Sequence, residues 1–411
     1  MTDLRSIELF TGAGGLALGL HQAGFRHLAL AEWDKHSCRT LRENRELLGI
    51  DPSYAIEPTD VSRVNWTSFN GKVELLAGGV PCQPFSLGGK HRGHQDDRNL
   101  FPEMLRAVRE IQPTVVLIEN VKGLMRPSFR PYMDYVMRQL EMPGIAPAKD
   151  EPWESHNDRL VRAEHAFKRS GEIVYRVARH LIQAADYGVP QTRERVLIIA
   201  FRSDTEVLWT PPIHDPDGNY LLHSEDALLN AQYVTGSYWD AHRLRRPRTS
   251  PLRHRDRVGR LRTQLLPPEE SAWRTVRDAI SDLPAPLNGR PHPRHHDHIR
   301  NPGARRYAGH DGSALDWPSK TLKAGVHGVP GGENTLRYPN GEVRYYSARE
   351  AARIQTFPDN YRFSGTWGEA FRQLGNAVPV KLARVVGEQI RVSLEGRREV
   401  DVTRSTLRAS S

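Results

Sequence analysis

A doubly wound α/β sheet carrying a second, smaller, irregular domain is the fold class predicted by this 411-residue sequence. Three observations predict it. From residue 6 to about 202, short β-branched apolar runs alternate with segments of helical spacing. From about residue 204 the sequence turns rich in Pro, Gly, His and Arg and loses its periodicity, and helical spacing resumes only from residue 347. Strand, helix and strand in succession is the pattern of a layered α/β sheet.

The runs "IELF", "HLALAEW", "VELLAGGV", "TVVLIENV" and "RVLIIAFR" read as buried strands, too short and too β-branched for helices. Between them, "GLALGLHQAG", "HSCRTLRENRELLG" and "LFPEMLRAVREI" place apolar residues three and four apart, as amphipathic helices do. Turn-rich stretches such as "WTPPIHDPDGNY", "LPAPLNGRPHPRHHDH" and "GVPGGENTLRYPNGE" predict sparse regular structure in the middle. Near the end, "SAREAARIQTF" reads as helix and "EAFRQLGNAVPVKLARVVGEQIRVSL" as a turn followed by a helix. The expected division is 1–204, 205–344, a bracing segment 345–395 that completes the first domain, and a frayed, flexible tail 396–411.

Composition excludes several classes. Two cysteines, Cys38 and Cys82, make no disulfide framework and no Cys-x-x-Cys pair, which fits a reducing cytoplasm. The apolar runs are far below the ~20 residues of a membrane span, and no export signal opens the chain. Net charge is +9, and residues 241–306 hold 16 Arg against 6 acids, so that window carries the whole excess. A basic insert on a neutral body points to a nucleic-acid partner, with a solvated arginine-rich surface as the plain alternative. The histidines of "HPRHHDH" lack cysteine or H-E-x-x-H company, so no metal is assigned to them. Cys38, in a helical segment, reads as packed, and Trp317 as recognition domain or core.

The chemistry lies at strand ends. "FTGAGGLALG" puts Gly12, Gly14 and Gly15 at a strand-to-helix turn, where backbone can approach a ligand and helix N–H groups are free. Gly12, Gly14 and Ala17 satisfy G-x-G-x-x-G/A, and Glu32 follows Gly12 by 20 residues, the place of a ribose-binding acid. The alternative is a tight turn without a ligand. Cys82 leaves "VELLAGGV" at the carboxyl edge of the sheet, before the Gly-rich basic loop "QPFSLGGKHRGHQDDRN". A nucleophile under a closing lid and a small buried filler both fit these local features. Glu119, after four apolar residues, is expensive to bury charged and is placed to hold a proton for a substrate, or else to cap the next helix. Arg193 and Arg195, two apart at a strand entrance, would share one face and hold an anionic or carbonyl oxygen, unless they are a solvated edge.

In this order, Pro-Cys, Glu-Asn-Val, Gln-x-Arg-x-Arg and "GNAVP" strongly resemble the DNA (cytosine-5)-methyltransferase family of bacterial restriction-modification systems, over roughly residues 6–202 and 345–391. "FTGAGG", "EWDK", "TDV" and "REAARIQTFP" look like further motifs of that family. The resemblance implies a Rossmann-like S-adenosylmethionine-dependent methyltransferase fold with a target-recognition domain at 205–344. It implies S-adenosyl-L-methionine as cofactor and double-stranded DNA as partner. It implies a cytosine flipped out of the duplex at a few kcal/mol, and attack by Cys82 on C6 before C5 takes the methyl group.

In the family's terms Glu119 serves N3 and the exocyclic amine, Arg195 serves O2, and Arg193 supports that contact. A free thiol with pKa ~8.5 needs nearby positive charge to ionise, from Lys90 and Arg92 or from the two arginines. Phe10 stacks near the adenine or sulfonium, and Gly12, Gly14, Gly15 and Leu16 line the methionine end. Glu32 binds the ribose hydroxyls, Trp33 packs on adenine, Asp60 and Val61 meet its edge, and Asn376 with Val378 close the pocket. The loop from Ser86 to Asn99 is the expected lid, and Gly88 stands where family members carry a serine. A monomer, in the cytoplasm, acting beside a cognate restriction endonuclease, completes the expectation. The alternatives are the same chemistry on tRNA and an NAD-dependent oxidoreductase, which leaves Pro81-Cys82 and Glu119-Asn120 unexplained.

Overall fold

The computed structural model describes residues 4–81, 99–167, 174–205, 207, 209–215, 217, 219, 221–307, 311–324 and 334–409. The chain divides into two compact units. The first comprises Met1–Ile182, Glu194–Pro211 and Val386–Ser411, and the second Gln183–Arg193 and Pro212–Val385.

The first unit is built on six strands: β1 (Leu4–Leu9), β2 (Phe25–Ala31), β3 (Leu75–Gly79), β4 (Val115–Val121), β5 (Tyr175–Gln183) and β6 (Glu194–Arg202). Their order in the sheet is β2-β1-β3-β4-β6-β5. The pairs β1/β2, β1/β3 and β3/β4 are parallel, while β6 runs antiparallel to β4. The chain leaves β1 toward one side for β2 and returns to its other side for β3. The carboxyl ends of β1 and β3 therefore flank a topological switch point, where open α/β sheets bind ligands. Because β6 is antiparallel, its first residues lie at that same edge, with Arg195 opposite Val121.

Helices α1 (Gly15–Gln22), α2 (Lys35–Glu43), α3 (Phe101–Ile111), α4 (Arg130–Glu141) and α5 (Trp153–Phe167) accompany the sheet. The apolar positions of α3, among them Met104, Leu105, Val108 and Ile111, join strand residues Ile7, Leu76, Val116 and Ile198 in one buried core. Cys38 in α2 is fully buried, and burial, with Glu32 nearby, pushes its thiol up to about 12. It is inert filler, as its helical setting implied.

The second unit has only short elements through its middle: α6 (Glu225–Leu229), a π-helical turn (Asn230–Thr235), α7 (Ser237–Ala241), α8 (Arg255–Thr263) and α9 (Val276–Ile280). They close on a small core of Leu228, Leu229, Tyr233, Tyr238, Trp239, Val258 and Leu261, with Trp273 and Trp317 packed against it. The helices α10 (Ala348–Ile354), α11 (Trp367–Asn376) and α12 (Val380–Ala409) follow.

Three elements differ from the sequence expectation. The strand β5, "YRVARHLIQ", was not anticipated because it is an edge strand whose half-exposed Arg and His residues interrupt the apolar run. The helix α11 replaces an expected turn; Thr366 caps it by accepting from the Glu369 N–H, and its glycines lie inside it. The helix α12 continues to Ala409, through the tail expected to fray, since no glycine or proline follows Gly396. No helix among the described residues is long and apolar enough to cross a membrane.

Candidate active site

The turn after β1 is held in a conformation that ordinary residues resist. Phe10, Gly12 and Gly14 all have left-handed backbones, with φ of 57°, 57° and 80°. Glycine adopts that region freely, and a non-glycine residue there is uncommon. The Thr11 N–H reaches the Ala31 carbonyl at 3.2 Å, tying the turn to the end of β2. The Gly12 N–H donates to Glu32 Oε2 at 2.6 Å. A Cβ at Gly12 would meet nothing within 4 Å, so the outer side of the turn is open. The cap of α1, Gly14, offers no side-chain acceptor, and the first N–H groups of that helix are left for a ligand. Gly15 and Leu16 are buried in its first turn.

Glu32 also accepts from the Trp33 and Asp34 N–H groups on Oε1, at 3.0 and 2.7 Å. Burial raises its carboxyl above the usual range, opposed by these backbone bonds. Three of about four lone-pair sites are thus filled, leaving Oε2 able to accept once more. Trp33 is 72% exposed, a bare indole beside this carboxylate. Asp60 caps the short turn Val61–Arg63 by accepting from the Ser62 N–H and hydroxyl, and those bonds lower its carboxyl. The Val61 side chain is in the core, so only its backbone can meet a ligand edge. Asn376, exposed, and Val378, buried, belong to the second unit.

The strand run "IELF" also carries a buried acid, Glu8, which its apolar pattern does not mark. Glu8 is 1% exposed, and its Oε2 has no hydrogen-bond partner among the described residues. Burial first, and Glu32 second, hold its carboxyl well above the ordinary value.

At the same sheet edge Glu119 in β4 lies opposite Gly79 in β3. A Cβ on Gly79 would stand 3.7 Å from Glu119 Oε2 and 4.0 Å from the Phe10 carbonyl, so a bare backbone joins the glycine turn to the acid. Arg195, opposite Val121, is one diagonal step from Glu119 on the same face of the antiparallel pair. Its Nε lies 2.7 Å from Glu119 Oε1, and both side chains are about nine-tenths buried. Among the described residues no N–H is aligned on Oε1, so the contact is an ion pair without a hydrogen bond to that oxygen. Asn120 donates its amide to the Val80 carbonyl at 3.1 Å, fixing the end of β3 just before Pro81. Cys82, with Gly88, Lys90, Arg92 and the rest of the expected lid up to Arg98, lies outside the described residues.

Arg193 takes other partners. The strand begins at Glu194, so the alternation that would give Arg193 and Arg195 a common face does not reach it. Its buried guanidinium donates to the carbonyls of Leu322, Gly375 and Ala377 at 3.2, 2.8 and 2.9 Å, all within the second unit. Gly375 is needed there, since a Cβ would collide with the backbone of Lys323 and Ala324. Arg349, also fully buried, donates to the carbonyls of His296, Pro358 and Tyr361 and pins the histidine-rich loop. Neither set of partners is visible in spacing along the chain.

The protein-family model for C-5 cytosine-specific DNA methylase matches residues 4–144 and 155–392. The chain belongs to that family. Type II methyltransferase M.PspPI of Psychrobacter sp. (strain TA137) is 35% identical over 93% of this chain and 78% of its own length. Type II methyltransferase M.NgoMIV of Neisseria gonorrhoeae is 30% identical over 94% and 96% respectively. Among solved structures, S. pombe Dnmt2 methyltransferase superposes with a TM-score of 0.52 at 16% identity, covering 96% of this chain and 99% of that one, a likeness of fold.

This C-5 cytosine DNA methylase therefore takes its methyl group from S-adenosylmethionine and acts on DNA. The residues present fit that donor: an open glycine turn, an uncapped helix N-terminus, a carboxylate with a remaining acceptor site and an exposed indole. The dinucleotide-type glycine pattern is accounted for by this cofactor, and the oxidoreductase alternative falls away.

Proposed function

We propose that the protein methylates C5 of a cytosine turned out of a specific double-stranded DNA sequence, through a covalent bond to Cys82. The observation that carries the reading is the buried Glu119–Arg195 pair at the sheet edge that also bears Gly79, Pro81 and the Phe10–Gly14 turn. C5 of cytosine is too weakly nucleophilic to be methylated unaided. Addition of the Cys82 thiolate to C6 makes the carbon–sulfur bond and pushes electrons to N3 and O2. Glu119 holds the N3 and exocyclic-amine edge of the base, and the Arg195 guanidinium stabilises charge at O2. S-adenosylmethionine supplies the methyl group as a cationic sulfonium. Loss of the C5 proton then expels the Cys82 thiolate and restores the aromatic ring.

Glu32 holds the ribose hydroxyls, Trp33 and Phe10 the adenine faces, Asp60 and the Val61 backbone the adenine edge. Gly12, Gly14, Gly15 and Leu16 give the methionine end its backbone contacts. Arg193 holds the Gly375–Ala377 backbone within the second unit. The arginine-rich residues of 205–344 hold the duplex and read it. The protein acts as a cytoplasmic monomer and protects the DNA of its own cell from a restriction endonuclease of the same specificity.

The test is incubation with tritiated S-adenosylmethionine and either duplex DNA or tRNA, followed by bisulfite sequencing of the DNA. Label in DNA at cytosines of one short sequence is the expected result, and label in RNA alone would overturn the reading. A duplex carrying 5-fluorocytosine, which cannot lose its C5 substituent as a proton, should trap the wild-type protein in an adduct stable to denaturant. Cys82→Ser should form none.

A further inference from the structure

Reading a sequence requires side chains held in place before the DNA arrives, because ordering a long side chain on contact costs binding energy. Most arginines of the second unit do not meet that requirement. Arg257 is taken by Glu225 and Asp226, Arg277 by Asp316, and Arg246 by the carbonyls of Tyr233 and Val234. Others, such as Arg255 and Arg260 on α8, are simply exposed.

Arg253 is both exposed and fixed. Its Cζ lies 5.6 Å from the centroid of Trp317, over the ring, and its Nε donates to His254 Nε2 at 2.8 Å. The His254 ring is itself stacked on Trp317, with centroids 4.8 Å apart and planes 26° apart. On its far side His254 Nδ1 is 3.6 Å from Glu225 Oε1. Burial, with the Arg253 and Arg257 charges beside it, lowers the imidazole below its ordinary value against the pull of Glu225. The neutral ring keeps a lone pair on Nε2 for Arg253 to use. Trp317 packs on the small core and stands edge-on to Trp273, with centroids 6.3 Å apart. The terminal nitrogens Nη1 and Nη2 of Arg253 have no hydrogen-bond or ion-pair partner among the described residues.

A planar pair of N–H donors on a rigid support matches the O6 and N7 acceptors of guanine in the major groove. A phosphate needs charge but not this rigidity, and the exposed arginines near Arg253 already supply charge. Every duplex site containing a target cytosine also contains the guanine paired with it, so the acceptor is always present. We propose that Arg253, positioned by Trp317 and His254, reads a guanine of the target sequence, an inference that rests on the DNA-methylating function proposed above.

The experiment is methylation of plasmid DNA by the full-length wild type and by Arg253→Lys, read by bisulfite sequencing. Anisotropy titrations of a fluorescein-labelled duplex carrying the sequence so found, at several salt concentrations, accompany it. Lysine keeps the charge but loses the fork and the ring contact. Arg253→Lys should tolerate replacement of one guanine that the wild type requires, narrowing discrimination there by about 5- to 150-fold, with an unchanged slope of log affinity against log salt. Replacing that guanine by 7-deazaguanine should weaken wild-type methylation and leave Arg253→Lys unaffected, a check made on the intact protein. An unchanged target sequence in Arg253→Lys, or indifference of the wild type to 7-deazaguanine at every guanine, overturns the proposal. So does an Arg253→Ala variant that keeps the target sequence while its salt slope falls by about 0.9, the mark of a phosphate contact. Failure of the wild type to methylate DNA would instead strike the proposed function itself.

Discussion

Asn120 donates its side-chain amide to the Val80 carbonyl at 3.1 Å, and its own Oδ1 accepts from the Val121 N–H at 2.9 Å. One buried amide thus joins the end of β4 to the residue before Pro81-Cys82. Asn120→Ala leaves a buried carbonyl unsatisfied, at a cost of about 1–3 kcal/mol in urea unfolding. Methyl transfer should fall on the order of 10- to 100-fold, because small displacements of a nucleophile are expensive. Cofactor affinity measured by calorimetry should not change. Undiminished turnover in a destabilised variant would show that Asn120 only packs.

The glycine turn and the acid at the end of β4 were legible because each is a local pattern, a glycine cluster or a lone carboxylate closing an apolar run. The pairing of Glu119 with Arg195 was not, since it depends on the antiparallel register of β4 and β6, set by strands 76 residues apart in their paired side chains. Arg193 was legible as a charged residue near a strand, but its acceptors on Gly375 and Ala377 lie 182 and 184 residues away and are main-chain atoms with no side-chain signature. Arg253 had the same difficulty: Trp317, its support, is indistinguishable in sequence from any core tryptophan. Edge strand β5 was missed because half-exposed residues weaken the apolar signal on which strand recognition rests.

The Glu119–Arg195 pair is buried enough that neither partner can be removed cheaply. Glu119→Gln strands a guanidinium and Arg195→Met strands a carboxylate, each costing about 3–5 kcal/mol, whereas the double variant should cost less than their sum. Denaturant unfolding of the four proteins gives the coupling. Both single variants should also lose on the order of 100- to 1000-fold in kcat, since the pair acts where charge develops on the base. Additive stability losses would mean that the 2.7 Å approach contributes no interaction energy.

His27 in β2 makes the first unit sensitive to acid. It is 5% exposed, with Nδ1 2.9 Å from the Ser6 hydroxyl and Nε2 2.9 Å from the Ala17 carbonyl. Burial, aided by His21 and opposed by the Ala17 bond, brings it from 6.5 to about 4. The unfolded chain therefore takes up this proton before the folded one does. Stability from this group is complete above about pH 6.5, falls as pH drops toward 4, and levels off below, a total of roughly 3 kcal/mol. Urea unfolding between pH 4 and 7 should show a shallower acid loss in His27→Gln than in wild type. Parallel curves would remove His27 from the account.

Trp33 separates a binding role from a folding role with unusual clarity. Its side chain is 72% exposed, so Trp33→Ala should alter unfolding free energy by no more than about 0.5 kcal/mol. Yet the residue directly follows β2 and Glu32, whose Oε1 accepts the Trp33 N–H at 3.0 Å, and this anchors the indole's backbone beside the carboxylate. Stacking of a base on an aromatic ring is worth about 1–3 kcal/mol, so the same substitution should weaken binding of S-adenosylhomocysteine by about 5- to 150-fold in calorimetry. Trp33→Phe should recover most of that loss, because it restores a flat apolar face without the indole N–H. Equal affinity in all three proteins would place the adenine elsewhere, and would leave an exposed tryptophan with no ligand to explain it.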